Sequence, residues 1–91
     1  MLRAAVVLSV ADRHIADLAA RALKQLGFQI LRVGSRSVAF QGSEALFETA
    51  FKSAIDMTEE GATFASEPRL PASLPREVEF VHFARKPTPT A

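Results

Sequence analysis

An acyl-transfer site needs a nucleophile, an imidazole and a carboxylate in mutual hydrogen-bond reach, and Ser9, Asp12 and His14 bring those residue types into one short stretch. The serine lacks the strained G-x-S-x-G turn that exposes a nucleophile. Asp12 stands directly before an amphipathic run, where a carboxylate has a different task as helix N-cap. The stretch therefore reads as a strand-to-helix junction with a surface histidine. Glu59 and Glu60 are adjacent carboxylates, but general acid and base work needs two acids in contrasting environments, and a solvated loop is the expectation. His82, a lone imidazole within an apolar run, supplies no metal-ligand set. Gly34 and Gly42 are single turn glycines rather than a phosphate-cradling loop. With no cysteine there is no thiol nucleophile, disulfide framework or zinc knuckle. No catalytic residue, metal or cofactor is expected, and the chain does not read as an enzyme.

The composition is that of an ordinary globular domain. Ninety-one residues make one domain. Eleven basic against ten acidic residues leave a net charge of +1, too little to gather nucleic acid or anionic lipid. All seven aromatics are phenylalanine, which favours packing over hydrogen-bonded recognition. The opening MLRAAVVLSVA is apolar with one arginine, but it is shorter than a secretion signal and runs straight into Asp12-Arg13-His14. A strand is expected there and, absent a signal peptide, a cytoplasmic setting. No stretch approaches the length of a membrane span.

The elements that must carry these residues follow in order. Residues 2–10 are apolar on both parities, as in a central strand. After the Asp12 cap, Ile15, Leu18, Ala19, Ala22, Leu23 and Leu26 form an apolar helical stripe, with Asp17 and Arg21 paired on the wet side, and Gly27 stops the helix. Residues 28–33 and 38–40 form a hairpin about Gly34-Ser35-Arg36. Ser43 caps a second helix over 44–55, with Phe47, Ala50, Phe51, Ala54 and Ile55 buried and Glu48 and Lys52 paired. Pro68, Pro71 and Pro75 make 62–76 an extended loop pinned by Leu70 and Leu74, in which 62–65 pairs briefly as an edge strand. Residues 77–83 form the last strand and 84–91 a proline-containing tail.

The order β-α-β-β-α-β predicts an α+β, ferredoxin-like domain over residues 1–83, a four-stranded antiparallel sheet with two helices on one face. The bare face of such a sheet should be polar, yet Leu31 and Val33 oppose Phe28 and Ile30, and Val81 and Phe83 oppose Val78 and Phe80. Apolar residues on both parities predict that a protein partner or a second copy covers it. Other occupants of this fold are not supported. An RNA-binding version stacks bases on central-strand aromatics, and here only Phe40 is available. A metal chaperone would need CxxC.

Two segments carry a family resemblance. ALKQLGFQILRVGSRSVAFQGSEALFETAF, residues 22–51, resembles the propeptide (activation domain) of sedolisin- or kumamolisin-type serine peptidases. There, a helix ends in glycine, a strand ends in a turn, and S-V-x-x-x-G-[ST] leads into a helix with a late phenylalanine. ATFASEPRLPASLPREV, residues 62–78, is similar to the segment that follows in that family, with Leu74-Pro75 matching its short LP motif. The similarity spans about residues 15–83, and subtilisin propeptides share the topology. The resemblance implies a domain whose open sheet face docks on a subtilisin-like or sedolisin-like peptidase as folding chaperone, and whose tail enters the cleft as an inhibitor. On that reading Leu31, Val33, Val81 and Phe83 lie at the interface, with Arg85, Lys86, Pro87 and Thr88 in the tail. The chain departs from the family in Pro87 and Pro89, which remove N–H donors a docked strand would use. The alternative expectation is a ferredoxin-like adaptor or self-associating domain, a homodimer included, within a larger cytoplasmic assembly.

Overall fold

Asp12 adopts an extended backbone and its Oδ1 accepts hydrogen bonds from the amides of His14 at 2.9 Å and Ile15 at 3.4 Å, which starts the first helix. The stop is a Schellman turn: Gly27 N–H donates to the Lys24 carbonyl, Phe28 N–H to that of Leu23, and Gly27 takes φ 109°. The computed structural model describes residues 1–59 and 61–84, and within them the elements run β1 (Leu2–Leu8), α1 (Arg13–Gln25), β2 (Gln29–Val33), β3 (Ser37–Gly42), α2 (Glu44–Phe51), β4 (Ile55–Thr58), β5 (Gly61–Phe64) and β6 (Val78–Phe83). The chain is α+β, with a four-stranded antiparallel sheet in the order β2-β3-β1-β6 and a separate two-stranded sheet, β4-β5. No described helix is long and apolar enough to cross a membrane.

The core lies on one side of the sheet. Ala4, Val6 and Leu8 of β1, Val38 and Phe40 of β3, and Val78, Val81 and Phe83 of β6 are buried against the helices. Beneath α2 the phenylalanines form one cluster. Phe28 meets Phe40 edge-on at 4.9 Å between centroids, Phe47 lies 5.0 Å from Phe83, and Phe64 lies 4.6 Å from Phe83. Beneath α1 the contact is made of small residues, Ala16, Ala19 and Ala20, with Leu23. Leu18, expected in the buried stripe, is instead 40% exposed. The helix is turned so that its alanines face the strands, which lets the backbone come close. The expected Asp17–Arg21 pair is replaced by Arg13–Asp17 at 3.6 Å, the one ion pair among the described residues.

The second helix is shorter than expected. Ser43 caps it through the Leu46 amide, but Lys52 enters the left-handed region at φ 52° and ends it. Ile55 is buried as expected, but from a strand: β4 pairs with β5 as a separate antiparallel hairpin, so Ala62, Thr63 and Phe64 pair with β4 and not with the main sheet. Ser53 holds the hairpin's base. Its buried hydroxyl contacts the Ala54 and Ser66 carbonyls at 3.1 and 3.2 Å and accepts from the Ser66 amide. The proline loop is pinned by buried Leu74 and half-buried Leu70, and Arg69 N–H donates to the Phe51 carbonyl at the end of α2.

Candidate functional site

Strand register decides which residues occupy the face without helices. Residues directly opposite one another in antiparallel pairs share a face, and β1 sorts cleanly, with Ala4, Val6 and Leu8 buried and Arg3, Ala5 and Val7 turned away. Three rows then cross the sheet. Gln29, Gln41 and Arg3 form the first, tied by a 2.6 Å hydrogen bond from Gln41 Nε2 to Gln29 Oε1. Arg32, Ala39, Ala5 and His82 form the second. Ser37, Val7 and Phe80 form the third. The middle of the face is floored by half-buried Ala5, Val7 and Ala39, while Arg3, Arg32, Phe80 and His82 stand exposed around it.

Phe80 is the exception among the phenylalanines. The others belong to the core cluster; Phe80 is 48% exposed on the opposite side of the sheet, its ring 6.0 Å from that of His82. An aromatic side chain left half in water loses on the order of 1–2 kcal/mol of transfer free energy that burial would recover.

The partner-binding positions read from the sequence are redistributed. Val81 and Phe83 are buried in the core, because they pair with Val6 and Ala4, whose side chains face the helices. Val33 pairs with Val38 on that same side and packs half-buried against the core. Leu31 is 43% exposed, on a bulge at the sheet's free edge where the register shifts between Ile30 and Arg32. Arg85, Lys86, Pro87 and Thr88 lie outside the described residues, as does Glu60. The residues that do form the bare face (Ala5, Val7, Ala39, Phe80 and the two arginines) were not singled out from sequence. The signal for them was Arg3, whose charge marks the odd parity of β1 as outward.

Both edges of the sheet are irregular. A bulge interrupts β2 at Leu31, and the β1–β6 register shifts between Val7 and Leu8, which leaves Glu79 as the extra residue. Bulges twist an edge away from a further strand, so neither edge is a regular template for strand addition.

The Asp12 carboxylate is engaged with backbone amides, and no side-chain hydrogen bond links Ser9, Asp12 and His14. Among the described residues no group of His, Asp or Glu side chains is placed to hold a metal ion. An open hollow beside the end of α1, lined by Lys24, Gly27, Phe28, Gln29 and Ile30, offers one charged group and no convergent polar set. Comparison with family models, curated proteins and solved structures finds no match to this chain.

Proposed function

We propose that this chain is a non-enzymatic protein-interaction domain of ferredoxin-like arrangement, similar to a peptidase propeptide, that binds a protein partner on its bare sheet face. The partner this reading names is a subtilisin-like or sedolisin-like serine peptidase, met as inhibitor or folding chaperone. The observation that carries the reading is Phe80, the phenylalanine kept out of the core and half-exposed beside a floor of small apolar residues. The strand order β2-β3-β1-β6 supports the ferredoxin-like arrangement, with the β4-β5 hairpin as an addition between the second helix and the last strand. Ala84 supports a propeptide-like geometry: its amide donates to the Arg3 carbonyl at 2.9 Å, which brings the end of β6 to the rim of the bare face.

The test is titration of the full chain, of a chain ending at residue 84, and of the Phe80→Ala variant into a subtilisin and a sedolisin, with binding and inhibition read separately. Inhibition that needs residues 85–91, with binding that needs Phe80, is the expected result. Binding without inhibition would leave a docking module. Absence of both, with a concentration-dependent dimer that Phe80→Ala abolishes, would transfer the function to self-association.

A further inference from the structure

The helices cover one face of the sheet only, and on the other Ala5, Val7, Ala39 and Phe80 form an apolar strip among polar neighbours. An occupant of that strip can be characterised by charge. The paired outward positions of the sheet hold Arg3 and Arg32, while the carboxylate of Glu79 lies exposed at the rim, on the β6 bulge beside Phe80. Neither arginine has an ion-pair partner among the described residues. A second copy of the chain stacked on this face would bring two more arginines against a single rim carboxylate, Glu79, and an excess of like charge held at an interface costs affinity. A single-stranded nucleic acid would need aromatics where the bases lie, and the central positions are Ala5, Val7 and Ala39, with Phe80 on an edge strand.

Resting on the docking-face reading, we infer that the occupant of this face is an amphipathic helix of a partner protein whose apolar stripe is flanked by carboxylates. The small floor of Ala5 and Ala39 admits close approach of a helix, as the alanines of α1 do on the other side. Val7 extends that floor, and exposed Phe80 opposite it supplies the apolar wall. Arg3 and Arg32 lie two strands and one row apart, roughly 12 Å by strand geometry. That is about two helical turns, so acids at i and i+7 of the partner helix meet both arginines.

The test uses three probes with the isotope-labelled full chain: a helical peptide with a Leu/Ala stripe and Glu at i and i+7, the same peptide with Lys in place of Glu, and oligouridine. The Glu peptide is expected to shift the amides of Ala5, Val7, Ala39 and Phe80, to bind less tightly as salt rises, and to bind about tenfold more weakly to the Arg3→Glu/Arg32→Glu variant. Arg3→Gln/Arg32→Gln, which adds no charge, should fall between. Equal binding of the Lys peptide at those amides would overturn the acidic-helix inference and leave the docking face standing. Oligouridine binding there, or a dimer that buries them, would overturn it in favour of those occupants. No response at these amides to any probe, with a peptidase still bound elsewhere on the chain, would remove the inference and the docking face together.

Discussion

The ring of Phe28 lies directly over Gly42: a methyl group on that glycine would stand 2.7 Å from Phe28 Cδ1 and 3.2 Å from Leu46 Cδ2. Gly42 closes β3 one residue before the Ser43 cap, so the missing side chain is what lets Phe28, just past the turn that ends α1, fold back over the start of α2. Gly42→Ala is expected to destabilise the domain by about 1–3 kcal/mol, as overpacking does, read as a lower urea midpoint at unchanged m value. In a double-mutant cycle with Phe28→Leu the two costs should be clearly non-additive, since the smaller side chain vacates the contested space. Additive costs would show that the ring is free to move.

The two phenylalanines of β6, three residues apart, should respond oppositely to truncation. Phe83 is packed between Phe47 and Phe64, and Phe83→Ala is expected to cost about 3–5 kcal/mol. Phe80 meets only its outward neighbours, and Phe80→Ala should cost under about 1 kcal/mol. Thermal unfolding of the pair decides which parity of the last strand faces the helices. A large loss at Phe80 would mean that the register is reversed.

That assignment marks where the sequence was readable and where it was not. The first helix was legible because both its ends carry chemical signals, a carboxylate that caps and a glycine that takes positive φ. Its buried face was legible in part: Ala19, Ala22 and Leu23 are buried as expected, but Leu18 outweighs Ala16 and Ala20 in any apolar pattern, while a sheet surface selects the smaller side chains. The faces of β6 were illegible for a sharper reason. Phe80 and Val81 are both apolar, and the extra residue Glu79 moves Val78 onto the parity of Val81 and Phe83. The β4-β5 hairpin was hidden because Ala54 and Ile55 prolong the helical period past Lys52, and lysine gives no warning of a left-handed turn.

Ser53 ties the start of that hairpin to its end. Ser53→Ala leaves the Ser66 amide and the Ala54 and Ser66 carbonyls without their side-chain partner, at an expected cost of about 1–2 kcal/mol. The loss should be local first. The Ala65 amide, which donates to the Ala54 carbonyl at 2.9 Å, is expected to exchange with solvent faster while amides of β1 keep their protection. Uniform acceleration across the sheet would mean that the hairpin and the main sheet open as one unit.

Lys52 holds the one positive φ outside glycine among the described residues. A side chain there costs roughly 1 kcal/mol relative to glycine, because Cβ crowds the neighbouring carbonyl in the left-handed region. Lys52→Gly should therefore raise stability by up to about 1 kcal/mol, despite glycine's greater freedom in the unfolded chain. Lys52→Val, branched at the crowded carbon, should lower it. If the glycine variant unfolds earlier and the valine variant does not, Lys52 is helical in solution, the helix continues toward Ile55 as its apolar period suggests, and the hairpin begins later in the chain.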